Sequence, residues 1–255
     1  MWLYQWAALA ALSVLLLFLT TASDERVIAG RFERVPSPVV HRTYNHASPP
    51  VVSAAEWQAA GFAVDDADDA AARGLVAALG FGDVYDRLPN GASRADLYRY
   101  AVVYARGGWY ADQDVHPTPG LLALATTRAH VFFHEACGIR AINALKHSLG
   151  LSTITRAPQY KNSLFAAPPR WPPLRLALHA VRHRLDAHTG PWTEADVINV
   201  SGPGVLTDVL HVLHAIGANV TLVPCARQRS LFLHESVGSW RGQHLTDGLP
   251  TTPDP

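Results

Sequence analysis

The sequence predicts an α/β layered domain. Short strand-type apolar runs recur along the chain, at Val39-Val40-His41, Trp109-Tyr110-Ala111, Val131-Phe132-Phe133, Val197-Ile198-Asn199-Val200 and Val220 to Val223. Segments with helical periodicity separate several of them, and that alternation is the signature of sheet and helix layers packed on one another. The amount of material agrees: 255 residues, 49% of them apolar, supply one sizeable core but not two domains plus an anchor. Lys plus Arg equal Asp plus Glu at 21 each, so no global field draws the protein toward nucleic acid, and any anion it binds needs a local site.

The chain divides into four parts. Trp2 to Ala22 carries no charged side chain and is long enough to cross a hydrocarbon core of about 30 Å as a helix, which predicts a signal anchor over residues 1–22. A cleaved signal peptide is the rival, given the small residues Thr20 to Ser23; the length of the apolar run and the absence of a preceding Lys or Arg favour the anchor. A polar stem follows at 23–35, then a catalytic-sized domain at 36–245 opened by Pro36-Ser37-Pro38, and a disordered tail at 246–255. The two cysteines, Cys137 and Cys225, have no metal-type spacing; a single bridge and two buried thiols are both open.

Within the domain, Val39-Val40-His41 reads as the first buried strand. Ser53 to Leu79 is Ala-rich and helical in propensity, though poorly patterned. Ser93 is placed to cap a helix over Arg94 to Arg106, in which Leu97, Ala101 and Tyr104 share one face, and Gly107-Gly108 stops it. Trp109-Tyr110-Ala111 is then a strand running into Asp112-Gln113-Asp114-Val115, and Pro117 and Pro119 forbid its continuation. Leu174 to Leu185 is amphipathic, with Leu174, Leu178, Val181 and Leu185 inward and Arg175, Arg182 and Arg184 outward. Val197 to Val200 reads as a strand, Leu206 to Ile216 as a helix, and Val220 to Val223 as the last strand.

Residues two apart on an extended segment face the same way, so Asp112 and Asp114 can offer both carboxylates to one hard cation, Mg²⁺ or Mn²⁺, leaving positions for substrate phosphates. Asp66-Ala-Asp68 has the same spacing inside an acidic, Ala-rich stretch and reads as solvated surface. Context separates the two pairs, because Asp112 and Asp114 stand at a strand end, where α/β domains bind ligands. Asp96 and Arg99, three apart on a helix, taken alone read as a structural ion pair. The pairs His179/His183 and His211/His214 have zinc-compatible spacing without a third ligand and read as surface histidines.

The run Arg94-Ala-Asp-Leu-Tyr-Arg-Tyr100, followed by Arg106-Gly-Gly-Trp-Tyr-Ala-Asp-Gln-Asp-Val115, resembles the DXD glycosyltransferases that include fungal initiating α-1,6-mannosyltransferases and inositolphosphoceramide mannosyltransferases and, more distantly, clostridial glucosylating toxins. Pro38 to Tyr44, Asn162 to Ala167, Ser201 to Thr207, and His234 with Gly238-Ser239-Trp240 are similar, in order, to further motifs of that family, so the resemblance spans Pro36 to Gly242. It implies a GT-A-type fold and a retaining transfer of a hexose, with mannose from GDP-mannose ahead of a UDP-hexose, to a glycan or glycolipid acceptor. It further implies that Asp96 contacts sugar hydroxyls, that Arg99 contacts sugar and phosphate, and that Asp112, Asp114 and His234 form the metal or diphosphate site. His41, Tyr44, Tyr110, Ser239 and Trp240 are the implied nucleotide contacts, with Tyr44 on the base and Ser239 and Trp240 on the diphosphate. A single-pass location in Golgi or ER with a lumenal domain follows from the implied function. Tyr44 replaces the family's Trp and Ser201 its Thr. A catalytically inactive relative acting as a membrane binding or scaffold protein is the alternative, against which stands the full set Asp96, Arg99, Asp112, Asp114 and Trp240. A glycoside hydrolase needs acids facing across a bond, which an i, i+2 pair does not provide.

Overall fold

In the computed structural model, residues 38–44, 51–128, 130–135, 158–218 and 220–235 are described, all within the unit Val35–Pro255. Strand β1 (Val39–Thr43) lies between β2 (Ala63–Ala67) and β3 (Gly108–Ala111), parallel to both. Beyond β3 the order continues through β6 (Leu164–Ala167), β5 (Val131–Phe133) and β7 (Thr221–Val223). β6 pairs antiparallel with β3 and with β5, whereas β5 and β7 are parallel, so β6 is the reversed strand of a mostly parallel sheet. That reversal brings the start of β6 to the end of β3. A separate ribbon pairs β4 (Val115–Pro117) antiparallel with β8 (Phe232–His234).

Helices cover the sheet because its central strands β3, β6 and β5 are buried and apolar on both faces. On one side Trp109, Val40, Phe133, Leu164 and Ala166 enter a core closed by Trp57 of α1 (Ala54–Ala59), Phe62, and Leu121 of α5 (Pro119–Ala125). On the other, Phe165 stacks on Phe132 with ring centroids 5.9 Å apart, Phe132 stacks on Trp171, and Tyr100 and Tyr110 tilt against Phe165. Full burial of one such aromatic stabilises the fold by about 2–3 kcal/mol. Helix α4 (Gly91–Arg106) lies on this second side, beside α2 (Asp69–Ala78) and α6 (Pro172–Ala187). In α6 the four inward residues expected from periodicity are buried, while Arg182 bonds Gly80 O and Asp83 at 2.6 and 2.8 Å. Short α3 (Gly82–Arg87) and α9 (Cys225–Gln228), the helical turn α7 (Glu194–Asp196) and α8 (Pro203–Ala215) complete the domain.

Several expectations need correction. α4 begins a turn earlier than the periodicity suggests, because Asn90, not Ser93, caps it: the Asn90 side chain accepts from Ser93 N at 2.9 Å. Val197–Ser201 is a π-helical turn rather than a strand. A capping box between Thr193 and Asp196 starts a helix ahead of it, and Gly202 N closes the turn on Val197 O at 2.9 Å, so the apolar run is buried as helix; a four-residue run does not distinguish the two. Among the described residues the last strand is β8, not β7, and the Ala-rich stretch after Ser53 contains β2 between its helices. One glycine is indispensable at the end of α4: Gly107 has φ +70°, and a Cβ there would stand 2.4 Å from Pro169 Cδ.

The acidic cluster beside β2 is surface-facing, with Asp66 and Asp69 exposed as expected, but it also carries structural contacts. Arg42, 1% exposed, forms a two-pronged pair with Asp66 at 2.8 Å on each prong and also donates to Val52 O. Asp68 caps α2 by accepting from Ala71 N at 2.7 Å. His41 contacts Asp65 through Nδ1 at 2.7 Å and Gly107 O through Nε2 at 2.8 Å, tying β2, β1 and the Gly-Gly turn together. Replacing His41 by Ala leaves a buried carbonyl without its donor and should lower unfolding free energy by about 3 kcal/mol, read as a shift of the urea midpoint.

The expected anchor (1–22), the stem (23–35) and the tail (246–255) lie outside the described residues, as do Ser239 and Trp240. Among the described residues no helix is long and apolar enough to cross a membrane.

Candidate active site

At the carboxyl end of β3 the chain carries Asp112 and Asp114, and the ribbon of β4 and β8 returns His234 beside them. β4 and β8 pair Val115 with His234, and Glu235 N donates to Asp114 O at 3.1 Å. His234 Nε2 stands 3.2 Å from Asp114 Oδ1. One ligand atom each from Asp112, Asp114 and His234 lie within 4.8 Å of one another. These three are the residues expected to form the metal site from positions 120 apart in the chain, and the fold brings them together.

Below this group lies a buried polar lattice on α4. Asp96 and Arg99 are 6% and 5% exposed, so the pair is not a surface bridge. Arg99 Nη2 is 3.1 Å from Asp96 Oδ1 and 3.2 Å from Asp112 Oδ1, Nη1 donates to Asn162 O at 2.9 Å, and Nε donates to Ala95 O at 3.3 Å. Its guanidinium also sits 4.8 Å from the centroid of Tyr110. Asp96 accepts from Asn162 Nδ2 at 2.8 Å and from Ser201 Oγ at 3.0 Å. Tyr110 Oη donates to Asp112 Oδ1 at 2.9 Å, and Tyr100 Oη to Gly202 O at 2.9 Å. The π-helical turn therefore has a use: it aims Ser201 at Asp96.

Charge states follow from these contacts. Burial pushes the Asp96 carboxyl up to about 6, against the pull of Arg99, Ser201 and Asn162, so it is ionised at neutral pH. Burial likewise raises Asp112, opposed by Arg99 and His234 and reinforced by the neighbouring charge of Asp114. For Arg99, burial works against the charge, but Asp112, Tyr110 and Asp96 outweigh it and hold the guanidinium above its ordinary value. A divalent ion would relieve the repulsion between Asp112 and Asp114.

The remaining expected residues fall in different places. Tyr110 is fully buried, with its hydroxyl on Asp112. His41, expected at the nucleotide, is 2% exposed with both ring nitrogens engaged by the protein. Tyr44 is half-buried at the end of β1, and its N donates to Ala67 O at 3.2 Å. Of the paired histidines, His183 and His214 are exposed, while His179 and His211 pack half-buried against Phe81 and Tyr160. Asn162, Ser201 and Lys161 belong to the site without having been singled out as site residues. Asn162 and Ser201 lay within recognised motifs, but nothing in their spacing reveals a shared partner in Asp96.

His116 clamps the ribbon that carries His234, with Nδ1 2.7 Å from Glu56 and Nε2 2.9 Å from Glu235. Burial opposes its charge, but the two carboxylates outweigh burial and raise its pKa above 6.5. A histidine raised on folding contributes stability that is complete below its unfolded pKa and is lost as pH rises through the folded one. The difference in melting temperature between wild type and His116→Gln should therefore be largest below pH 6.5 and close above the raised value.

Comparison with known proteins sharpens this picture. None of the curated proteins matches the chain. Among solved structures, the chain path is similar to one titled "PaToxG Glycosyltransferase", with a TM-score of 0.48 and 12% identity over 82% of this chain and 79% of that one. Residues 55–130, which hold Asp96, Arg99, Asp112 and Asp114, match the family model described as a glycosyltransferase sugar-binding region containing a DXD motif.

Proposed function

We propose that the protein transfers a hexose from a nucleotide diphosphate sugar to a glycan or glycolipid acceptor, with retention of configuration and with GDP-mannose as the donor. The convergence of Asp112, Asp114 and His234 directly above the buried lattice of Asp96 carries this reading. The donor set fits a divalent cation: two carboxylates and one imidazole leave coordination positions for phosphate oxygens, and the imidazole favours Mn²⁺ over Mg²⁺. When bound, the ion supplies charge neutralisation for a departing diphosphate.

The chain's own residues supply positioning. Asp96, held ionised by Arg99, Asn162 and Ser201, keeps a carboxylate in place to accept from sugar hydroxyls. Arg99, braced by Asn162 O and the Tyr110 ring, fixes Asp96 and Asp112 relative to each other and adds positive charge beneath the phosphates. Tyr110 orients Asp112. Asp112 and Asp114 bind the ion, and Tyr44, Ser239 and Trp240 border the nucleotide. Preorganised charge of this kind needs no rearrangement during reaction and lowers the barrier for that reason.

The test is a donor screen. GDP- and UDP-sugars are incubated with the protein and Mn²⁺, and free nucleoside diphosphate is measured with and without EDTA. Release from GDP-mannose that EDTA abolishes supports the proposal; a folded protein that releases no nucleotide from any donor overturns it. The location is part of the same reading: anchored by residues 1–22, with the domain in the lumen of the Golgi or ER. Cys225 is disulfide-bonded, which suits an oxidising compartment.

A further inference from the structure

Lys161 immediately precedes Asn162, the residue that bonds Asp96, and it stands at a defined position beside the acid pair. The β3–β6 ladder pairs Ala111 with Leu164, and Asp112 N donates to Ser163 O at 2.8 Å, extending that register by one residue. The ladder ends there, because Asp112 to Val115 is a turn closed by Val115 N on Asp112 O at 3.2 Å, and Lys161 lies two residues before Ser163 on the segment leading into β6 that borders that turn. Its backbone is anchored on the other side, where Lys161 N donates to Phe133 O at 2.8 Å. The backbone around Lys161 is thus held on both sides, by Ser163 O on Asp112 N and by its own amide on β5.

The side chain is largely buried, and burial pulls its pKa down while Glu135, Asp112 and Asp114 pull it up. Among the described residues its ammonium has no hydrogen bond or contact ion pair. The other cation of the site, Arg99, is engaged by Ala95 O, Asn162 O, Asp96 and Asp112. Glu135, which also acts on that charge, accepts from the Gln159 side chain. A largely buried ammonium without a hydrogen-bond partner among the described residues is costly, and it is the kind of group that a bound anion satisfies. Asp96, Asp112, Asp114 and Glu135 exceed Arg99 and Lys161 by two negative charges, the charge of one divalent ion. With that ion on the acid pair, the pull of Asp112 and Asp114 on the Lys161 ammonium weakens, leaving it to face whatever phosphate oxygens the ion brings.

We propose that Lys161 is a phosphate ligand, gripping the sugar-bearing phosphate of the donor from the β6 side while Asp112, Asp114 and His234 hold the ion. The assignment rests on the proposed use of a nucleotide diphosphate donor. A phosphorylated acceptor presents the same chemistry, and the position of Lys161 next to Asn162, and so next to the carboxylate assigned to the sugar, favours the donor.

The experiment measures binding without acceptor. Titration calorimetry in Mn²⁺ compares GDP, UDP, the corresponding monophosphates and inorganic pyrophosphate on wild type, Lys161→Met and Lys161→Arg. Lys161→Met should weaken the preferred diphosphate and pyrophosphate by at least about 10-fold and the monophosphate far less, with Arg restoring part of the loss. Its melting temperature without ligand should equal or exceed that of wild type, since a largely buried charge has been removed; a structural lysine would show a fall instead. Lys161→Met that binds diphosphate as wild type does overturns the inference while leaving the donor reading intact, and a loss of turnover confined to phosphorylated acceptors assigns the residue to the acceptor and overturns it too. Wild-type protein that binds no nucleoside diphosphate with Mn²⁺ overturns both.

Discussion

Asp114→Asn should reduce Mn²⁺-dependent turnover by roughly 10²- to 10³-fold, the scale on which losing one preorganised charge-stabilising group acts, while leaving the protein folded. The physical reason is local. Asp114 projects from the end of β3 onto His234, 3.2 Å away, and its main-chain carbonyl, which the substitution keeps, holds Glu235. Its charge also raises the pKa of the buried Asp112, so without a metal the two carboxylates repel. Neutralising Asp114 removes that repulsion, and the variant in EDTA should melt no lower than wild type. With Mn²⁺ the order reverses. At 100 times its dissociation constant the ion stabilises wild type by about 2.7 kcal/mol, and the variant should lose most of that gain. Thermal melts in EDTA and in Mn²⁺, run beside the turnover assay, read both effects. A variant that keeps the full Mn²⁺ shift would remove Asp114 from the ion's ligands.

Arg99→Met should be the most destabilising single change in the site, at about 3–5 kcal/mol, because it leaves the carboxylates of Asp96 and Asp112 buried without their counter-charge. The loss also has a pH signature. Burial already pushes Asp96 up to about 6 with Arg99 present, and without Arg99 it would titrate higher still. A carboxyl whose folded pKa exceeds its unfolded one favours the fold when protonated, and that contribution disappears as pH rises through the folded value. The deficit of Arg99→Met relative to wild type should therefore be greatest at and above neutral pH and shrink as pH falls toward the ordinary carboxyl value of 3.8. Urea denaturation across that range measures it. Arg99→Lys should recover part of the stability, since a charge returns to the same place, but not the simultaneous bonds to Ala95 O, Asn162 O and the acids that the planar fork makes.

Which features were legible in the sequence depended on whether local interactions decide them. α4 and α6 were legible because each presents a periodic apolar face, and β3 and β5 because each is a short apolar or aromatic run. The turn at Val197 was not, because four apolar residues suit a buried strand and a buried helix equally and the deciding bond, Gly202 N to Val197 O, is invisible to periodicity. β2 was missed because its sequence, Ala-Val-Asp-Asp-Ala, lacks strand character until Arg42 and His41 of the neighbouring strand give the two acids partners.

The site divides along the same line. The sequence by itself determined that Asp112 and Asp114 stand together just past a strand end and that Asp96 and Arg99 share a helical face one turn apart. The two acids converge through the turn from Asp112 to Val115, closed by Val115 N on Asp112 O, and not through the extended alternation expected of them. Only the tertiary structure decided that these two pairs meet, with Arg99 bridging Asp96 to Asp112. It alone recruited Asn162 and Ser201 to Asp96, turned His41 into a structural tie, and set Lys161 beside the acids. The physical reason is strand order: reversing β6 against β3 lays the start of one at the end of the other, and such neighbours are fixed by how the sheet closes its core, not by any residue's own preference.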